Sequence, residues 1–424
     1  MRSIALIDVN NFYVSCERIF NPKLKNKPLV VLSNNDGCAI SRSNEVKELG
    51  IAMGAPWFRM QDLVKQHGIV GLSSNYPLYA DMSNRVMSIL RDFSPSQEVY
   101  SIDECFLDLT GFSFVNLVEY GQTMRKRILD WTGLPVCVGI GSTKTLAKLA
   151  NHCAKKQPVF HGVCNFNALT DEALTNLLAG LPVGEVWGVG RKLSPKLNAI
   201  GIHTALDLKC ADPNRIRQHF SVVMQKTVME LKGTVCIELE EIAPPRKQIL
   251  SSRSFGHSVA DYNSLAESIT LYMSRAAEKL RKQSSCAGSV FVYIRTSPFK
   301  PDEPQYSNGL TIPLPIPTDD TRQLVKVALW GLKRIYRGGF KYAKAGVMLG
   351  ELVSVNEVQS DFFYKKNFEA GSNKLMGVLD HINQKMGRGT MKLASEGFKQ
   401  TWRMKQGNKS PNYTTQWNDI PKAL

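Results

Sequence analysis

The sequence has no apolar run that approaches the roughly twenty residues needed to span a bilayer. Its first stretch, MRSIALIDVNNFY, passes from a short apolar run to acid and amide residues without a small-residue cleavage site. These absences argue against a membrane-spanning protein and against a secreted one. We therefore expect a cytoplasmic protein with no membrane partner.

Paired metal-binding or disulfide-forming cysteines are also lacking. The chain has nine cysteines, but they are scattered, with no C-x-x-C pair and no histidines at ligand spacing. The neighbours His152 and Cys153 are interpreted as helix packing. We expect reduced, structural thiols.

Acidic residues are too few to balance the basic ones. The chain has 53 Lys and Arg against 37 Asp and Glu, a formal charge of +16. Residues 246–350 alone carry 16 basic and 7 acidic residues, more than half of that excess. A positive charge concentrated in this way predicts a region that contacts the phosphates of a polyanionic partner.

Short apolar runs rich in β-branched residues alternate with helical patterns in the first 165 residues. The predicted strands are 3–9, 28–33, 98–102, 105–109 and 135–141, and the predicted helices are 43–50, 79–93, 116–133 and 143–156. This order predicts a small sheet of the β-α-β-β-α-β kind with helices packed on one face.

The later part of the chain has a different texture. Short helices, including 170–180, are predicted to follow residue 165, and the charged, Pro-Pro-containing stretch 241–248 is interpreted as a linker. A second strand-and-helix unit is predicted over about 250–350, with strands at 288–296 and 342–353. The last seventy residues are polar and contain glycines, which gives no clear fold prediction.

Two adjacent carboxylates, Asp103 and Glu104, stand in the middle of the strand-like stretch VYSIDECFLDLTG. If 98–102 and 105–109 form a hairpin, the pair occupies its turn, and the first strand would bring Asp8 beside it. Three clustered carboxylates need cations, and oxygen ligands suit Mg²⁺ or Mn²⁺. The alternative is a solvated turn; Asp108, further along, is interpreted as a surface residue.

Five stretches occur in order that are typical of one enzyme family. They are DVNNFYVSCE (8–17), NNDGCAISRSNEVKELGIAMG (34–54), SNYPLYADMSNRVM (74–87), YSIDECFLDLTG (100–111) and VGIGSTKTLAKLAN (138–151). Together they resemble the Y-family, lesion-bypass DNA polymerases, and within that family the bacterial UmuC type. The resemblance covers essentially the whole chain.

The resemblance implies an α+β multidomain fold with a ferredoxin-like palm, small fingers, a helical thumb containing a helix-hairpin-helix, and an α+β little finger. The implied boundaries are palm 1–10 and 75–165, fingers 11–74, thumb 166–240, little finger 246–350 and C-terminal tail 351–424. It also implies template-directed, two-metal transfer of nucleotides from dNTPs to a primer 3′-hydroxyl in error-prone repair during the SOS response.

The family's metal and nucleotide contacts fall on particular residues of this sequence. Asp8, Asp103, Glu104 and the backbone carbonyl of Val9 would hold two Mg²⁺ ions, with Mn²⁺ as a substitute. Phe12 would lie near the incoming sugar, and Tyr13 would be the steric gate that excludes a ribose 2′-hydroxyl. The alternative for both rings is core packing.

Further residues are expected at the triphosphate. Ser41, Asn44 and Lys47 recur every third residue and would share one side of a helix. Lys148, on the basic helix that follows GIGS, would face the same phosphates. For Lys47 the alternative is a solvated helix surface.

The stretch WGVGRKLSPKLNAIGI (187–202) has helix-hairpin-helix spacing. Its Gly188 and Gly190 would open backbone amides toward a DNA phosphate, and Arg191 and Lys192 would add charge. A helix with Leu193, Leu197 and Ile200 on one face is expected to follow.

The stretch QSDFF resembles the peptide by which bacterial polymerases bind the sliding clamp, with Gln359, Phe362 and Phe363 as the contacts. The alternative is that both phenylalanines anchor the tail. Residues 387–415 resemble a segment particular to the UmuC type, which implies a processed UmuD-type dimer and RecA as partners. Two rival functions are a nucleotidyl cyclase and a non-catalytic DNA-binding scaffold.

Overall fold

A computed structural model describes residues 2–112, 114–242, 244–358 and 369–420, without the side chains of residues 369–373. The chain forms two compact units. Unit 1 comprises Met1–Ser33, Cys38–Ala243 and Asn408–Leu424, and unit 2 comprises Asn34–Gly37 and Pro244–Gly407. The palm, fingers and thumb boundaries given above remain predictions.

The described residues contain twelve strands and fourteen α-helices. The strands are β1 Ile4–Val9, β2 Leu29–Leu32, β3 Ala39–Arg42, β4 Val70–Ser73, β5 Gln97–Val99, β6 Glu104–Asp108, β7 Val136–Gly141, β8 Val163–Asn165, β9 Ile249–Val259, β10 Ser285–Thr296, β11 Ser307–Thr318 and β12 Tyr342–Ser354. The helices are α1 Phe12–Phe20, α2 Asn44–Glu48, α3 Gln61–His67, α4 Tyr76–Arg91, α5 Leu117–Thr132, α6 Lys144–Lys156, α7 Asp171–Ala179, α8 Ser194–Asn198, α9 Ala205–Cys210, α10 Pro213–His219, α11 Val222–Leu231, α12 Tyr262–Lys282, α13 Thr321–Ile335 and α14 Glu369–Met386.

A five-stranded sheet of order β5-β6-β1-β7-β8 forms the centre of unit 1. Strand β1 pairs antiparallel with both β6 and β7, and β8 is parallel to β7. Alternate residues of β1 point to opposite faces. Ala5, Ile7 and Val9 pack in the core shared with α1, α4 and α5, whereas Ile4 and Leu6 meet Ala147 of α6 on the other face. Helices therefore cover both faces of the sheet, so the prediction of helices on one face is wrong. Helix α6, which follows β7, packs on the face opposite α1, α4 and α5.

Local sequence signals define both ends of α5, the helix that precedes β7 in the central sheet. The side chain of Asn116 accepts hydrogen bonds from the amides of Val118 and Glu119 at the start of α5. Gly133 ends the helix with a φ of 74°, the left-handed conformation that glycine adopts at low cost. The predicted helix at 116–133 is confirmed.

The predicted hairpin at 98–109 is present, but its acidic pair is divided. Strand β5 pairs with β6 from Gln97 to Val99, and Glu104 is already the first residue of β6. The expectation that both carboxylates occupy the turn is therefore wrong for Glu104 and holds only for Asp103. The cause is the pairing of Glu104 with Asp8 in β1, which extends β6 by one residue.

Two smaller cores complete unit 1. Strands β3, β2 and β4 form a three-stranded sheet whose outer face packs against residues such as Val46 and Met60. Helices α7 to α11 and the outer side of α6 enclose a separate core that contains Leu178, Leu197 and Leu231.

Unit 2 is built on a four-stranded antiparallel sheet of order β11-β10-β12-β9. Helices α12 and α13 share a buried core with it. Sequence patterns predict no fold for the last seventy residues, yet Trp402 from that region is only 3% exposed and packs in this core. No helix in the described ranges is long and apolar enough to cross a membrane.

Candidate active site

Three predicted metal ligands lie together at one edge of the central sheet. Asp8 and Glu104 are directly paired across β1 and β6. Asp103 precedes Glu104, and its carbonyl oxygen accepts a hydrogen bond of 2.9 Å from the amide of Val9. Strand pairing, not loop flexibility, therefore sets the spacing of the carboxylates.

Lysines of α6 neutralise two of these carboxylates. Lys155 lies 2.5 Å from Asp8, and Lys148 contacts both carboxylate oxygens of Glu104 at 2.8 and 3.0 Å. The carboxylate of Asp103 accepts a 2.6 Å hydrogen bond from the Ser101 hydroxyl.

The environment of Asp8 opposes its charged form. Burial raises the pKa of Asp8 to about 6, and the neighbouring Glu104 and Asp103 act in the same direction, against the lowering effect of Lys155. A carboxylate whose charge is this unfavourable is stabilised by any additional cation at the same place.

Within the described ranges, no three His, Cys, Asp or Glu side chains are grouped closely enough to hold a metal ion by themselves. The donor set nevertheless fits magnesium, because this ion is commonly bound by one or two carboxylates together with substrate phosphates. Asp8 and Glu104 supply such oxygens side by side. The protein alone provides only part of the coordination.

Two aromatic residues of α1 follow the carboxylate of Asp8. Phe12 is buried in the core of unit 1, and its contact with the incoming sugar remains a prediction. Tyr13 is half-buried and stacks on Tyr79 of α4, with ring centroids 4.4 Å apart and planes 19° apart. Burial raises the pKa of Tyr13 to about 12, so its hydroxyl stays protonated at neutral pH.

Asn11 links α1 to the predicted phosphate contacts on α2. The side-chain amide of Asn11 donates to the side-chain oxygen of Asn44 at 2.9 Å, and its side-chain oxygen accepts from the Lys47 ammonium at 2.5 Å. The backbone of Asn11 is left-handed, with a φ of 47°, a conformation that asparagine tolerates.

The expectation that Ser41 shares a helix side with Asn44 and Lys47 is wrong. Ser41 lies in β3, and its buried hydroxyl accepts a 3.4 Å hydrogen bond from the amide of Val14. Residues 41–47 pass from β3 through the N-cap Ser43 into α2, so their three-residue spacing does not correspond to one side of a single helix. Asn44 and Lys47 alone share α2.

The predicted phosphate contact Lys47 has three further cations near it that were not predicted from the sequence. The pKa of Lys47 is lowered by burial and by the positive charges of Arg42, Lys156 and Lys155. Mutual repulsion of this kind indicates a place where an anion would be favourable. Lys148 and Lys155 are seven residues apart, two helical turns, which is the signal that would have identified Lys155.

Lys148 has a more enclosed position than predicted. Besides Glu104, its ammonium group lies 4.4 Å from the ring centre of Tyr100 and 5.1 Å from that of Trp187. The two rings attract the Lys148 ammonium group and so help to keep it beside Glu104. In this structure Lys148 contacts a carboxylate, and its contact with a triphosphate remains a prediction.

The helix-hairpin-helix stretch has the predicted glycines in an open turn but departs from the predicted helix that follows. Gly188 has a φ of 90°, and a side chain at Gly190 would meet no atom within 4 Å. The following helix, α8, has only five residues, with Leu197 fully buried. Ile200 is exposed, so the predicted apolar face is wrong there, and Ile202 takes the buried position instead. Arg191 and Lys192 are exposed.

The predicted clamp contacts Gln359, Phe362 and Phe363 lie outside the described residues. The nine cysteines are free thiols in this structure, and Cys153 of α6 is buried in a hydrophobic core.

Comparisons with known proteins agree along the chain. The impB/mucB/samB family matches residues 7–152, its C-terminal domain matches 246–362, and the helix-hairpin-helix motif of the same family matches 171–202. A domain of unknown function matches residues 373–423.

Curated relatives match at nearly full length. The chain is 49% identical to Protein UmuC of Salmonella typhimurium, covering 98% of this chain and 99% of the relative. It is 43% identical to Protein MucB of Escherichia coli over 99% of each chain. DNA polymerase IV 1 of Bacillus subtilis is 25% identical over 91% of each chain.

Solved structures share the fold. A chimaeric Y-family DNA polymerase built from Dbh and Dpo4 superposes with a TM-score of 0.64 at 23% identity, covering 83% of this chain and 99% of its own. An insertion ternary complex of Dbh DNA polymerase superposes with a TM-score of 0.52 at 21% identity over the same shares. The predicted α+β class with palm, fingers, thumb and little finger is confirmed. The chain belongs to the impB/mucB/samB family, a branch of the Y-family DNA polymerases.

Proposed function

We propose that the protein is a translesion DNA polymerase that adds dNTPs to a primer 3′-hydroxyl with two divalent metal ions, Mg²⁺ or Mn²⁺, during the SOS response. The observation that carries the proposal is the pairing of Asp8 with Glu104 at the sheet edge, with Asp103 beside them and a group of lysines opposite. Similarity to DNA polymerase IV 1 of Bacillus subtilis over 91% of the chain supports the same reaction.

The chain's own groups account for metal and phosphate binding. Asp8, Asp103, Glu104 and the carbonyl of Val9 would hold the ions. Divalent ions bound there would activate the attacking hydroxyl and neutralise charge on the transferring phosphate. Lys148 and Lys155 neutralise the carboxylates in this structure. With ions bound by the carboxylates, Lys148 and Lys155 would be available to contact a triphosphate.

Substrate selection depends on residues around α1. The ring of Tyr13, held against Tyr79, would fill the space that a ribose 2′-hydroxyl requires, and Phe12 would support the sugar from the core side. Ser41, Asn44 and Lys47 were predicted to contact the nucleotide. Only Asn44 and Lys47 form one connected group through Asn11, so we assign the phosphate contact to that pair and a structural role to Ser41.

DNA binding and partner binding complete the proposal. Gly188, Gly190, Arg191 and Lys192 would contact the backbone of a primer-template, and the basic residues of 246–350 would add non-specific affinity. We keep the sliding clamp, a processed UmuD-type dimer and RecA as proposed partners, and the cytoplasm as the proposed location.

Primer extension tests the proposal with a matched pair of variants. Asp103→Ala removes a carboxylate at the site, whereas Asp108→Ala removes one at the far end of the same strand pair, opposite Ile4. We expect Asp103→Ala to bind primer-template normally and to lose extension by about a hundredfold or more, the scale of one lost electrostatic group. Asp108→Ala should extend like the unaltered protein.

Full extension by Asp103→Ala would contradict the assignment of the site. If the unaltered protein, supplied with Mg²⁺ and the proposed partners, does not extend a primer opposite an intact template, the polymerase proposal itself fails.

A further inference from the structure

The C-terminal segment 408–413 lies behind the predicted sugar gate in unit 1. The amide of Ser73 donates to the carbonyl of Asn408 at 3.0 Å, and the Ser73 hydroxyl accepts from the amide of Asn408 at the same distance. Ser73 also forms a parallel bridge with Lys409. The segment therefore adds to the end of β4 as a short strand would.

One buried asparagine fixes the next part of the segment. The side-chain amide of Asn75, which has no exposed surface, donates to the carbonyl oxygens of Ser410 and Pro411 and to the Ser410 hydroxyl, at 2.9–3.2 Å. Tyr413 then stacks on Phe20 of α1, with ring centroids 5.0 Å apart and planes 10° apart. Polar and aromatic contacts thus hold both ends of the segment.

The Ser410 hydroxyl is hydrogen-bonded to the buried carboxylate of Glu17. It donates at 3.0 Å to Glu17, which is 1% exposed, and the Tyr79 hydroxyl donates to the same oxygen at 2.7 Å. Burial raises the pKa of Glu17, while the bonds from Tyr79 and Ser410 oppose that rise. A buried carboxylate is costly unless such donors remain in place.

The same tyrosine supports the gate. Tyr79 stacks on Tyr13, and Glu17 lies four residues beyond Tyr13 on the same side of α1. The contacts form a continuous path from Ser410 through Glu17 and Tyr79 to Tyr13. The two middle residues of this path, Glu17 and Tyr79, are buried, so each has little room to adopt another position.

We propose that the segment 408–413 positions the gate Tyr13 through Ser410, Glu17 and Tyr79, and so sets discrimination between deoxyribonucleotides and ribonucleotides. The inference rests on the proposed function, because it takes Tyr13 as the sugar gate. It assigns a role to part of the region that matches a domain of unknown function. Ser410, Glu17 and Tyr79 are positioning residues, since they act through the Tyr13 ring.

The expected change in sugar discrimination follows from how strongly incorporation depends on the position of the Tyr13 ring. A shift of about 1 Å in a group that contacts substrate can change a rate by about a hundredfold. Loss of one hydrogen bond to a charged group corresponds to about tenfold or somewhat more in an equilibrium. We expect Ser410→Ala to raise the kcat/KM for ribonucleotides relative to deoxyribonucleotides by about tenfold.

The experiment measures kcat/KM for single dNTP and rNTP incorporation by the full chain in its proposed complex. Ser410→Ala removes the hydroxyl, Ser410→Thr retains it, and Thr415→Ala removes a hydroxyl from the exposed part of the tail. We expect relaxed sugar selection in Ser410→Ala only, with dNTP incorporation largely retained. Equal selection in all three variants would overturn the proposal.

A second variant tests the path independently of the tail. Tyr79→Phe keeps the stacked ring and removes the hydroxyl that reaches Glu17. If Ser410 and Tyr79 both act through Glu17, the effects of Ser410→Ala and Tyr79→Phe on sugar selection should be non-additive in the variant that carries both substitutions. Strict additivity, or no effect of Tyr79→Phe, would contradict the coupling.

Tyr13→Ala separates the gate assignment from the role of the tail. If Tyr13→Ala admits ribonucleotides and Ser410→Ala does not, the gate assignment stands and the role of the tail is wrong. If Tyr13→Ala leaves sugar discrimination unchanged, the gate assignment fails, and the proposal for the tail fails with it.

Discussion

At the scale of single residues, Asp8 is placed where its charge is unfavourable. Its carboxylate is largely buried, faces two other acids and has Lys155 as its partner. An arrangement that costs stability in the metal-free protein is typical of sites where function sets the residue type.

The raised pKa of Asp8 gives a prediction for stability against pH. Below its ordinary value of 3.8, Asp8 is protonated in both the folded and unfolded states, and it favours neither. Between 3.8 and about 6 only the unfolded chain ionises, so folding becomes less favourable until the folded pKa is passed. The full effect is about 3 kcal/mol.

We therefore expect the metal-free protein to lose stability relative to Asp8→Asn as the pH rises from about 4 to about 7. Urea unfolding of both proteins in the presence of a chelator measures the difference. The Asn side chain does not ionise, whereas every other titrating group is present in both proteins. The difference between the two proteins therefore reports the titration of Asp8. A difference that stays constant, or that changes in the opposite direction, would contradict the burial of Asp8 described here.

At the scale of elements, the contact between β7 and α6 determines where the two lysines lie. A side-chain carbon on Gly139 would come within 2.0 Å of the amide nitrogen of Asn151 and 2.4 Å of the carbonyl oxygen of Ala147. Both are backbone atoms of α6, so only glycine allows this close approach.

Gly139→Ala should force α6 away from the sheet and destabilise unit 1 by about 1–3 kcal/mol or more. Because α6 carries Lys148 and Lys155, nucleotide incorporation should fall as well. Gly180→Ala is the matched control, since its added carbon would meet only atoms at 3.6 Å or beyond. Equal unfolding midpoints for the two variants would show that the strand and helix can separate without cost.

The sequence was informative about elements whose signals are local. Apolar runs rich in β-branched residues predicted β1 and the hairpin that carries Asp103, and a helical pattern over 116–133 predicted α5. It was less informative where pairing across the sheet decides the outcome. Glu104 entered β6 because Asp8 pairs with it, which no local pattern indicates.

The site residues divide in the same way. Ser41 was misplaced because a regular spacing continued from a strand into a helix. Lys155 was missed because its role depends on how α6 packs over β1, a tertiary contact. The buried path from Ser410 to Tyr79 joins residues more than three hundred positions apart, a distance over which sequence patterns carry no information.

At the scale of the whole molecule, the excess of basic residues implies a large electrostatic contribution to DNA affinity. The full chain has a formal charge of +16, and residues 246–350 hold much of the excess. A nucleotidyl cyclase has no need of such affinity. DNA binding that weakens steeply with salt therefore distinguishes a polymerase from that rival.

Removing both Arg191 and Lys192 should weaken binding to a primer-template and lower the slope of log affinity against log salt by about two, roughly one for each phosphate that is no longer neutralised. Arg217→Ala removes another exposed cation, from the last turn of α10, and serves as the control. Fluorescence anisotropy over about 50–200 mM salt gives the slope. An unchanged slope in the double variant would remove the helix-hairpin-helix from the DNA interface.

The central claim is that Asp8, Asp103 and Glu104 hold divalent ions for nucleotidyl transfer. Electron paramagnetic resonance can count Mn²⁺ bound to the complex of the protein with a dNTP and a primer that lacks its 3′-hydroxyl. The account predicts two ions in the unaltered protein and a loss of bound Mn²⁺ in Asp8→Asn and in Glu104→Gln, with Asp108→Ala unchanged. Two ions retained with unchanged affinity in both substituted proteins would contradict it.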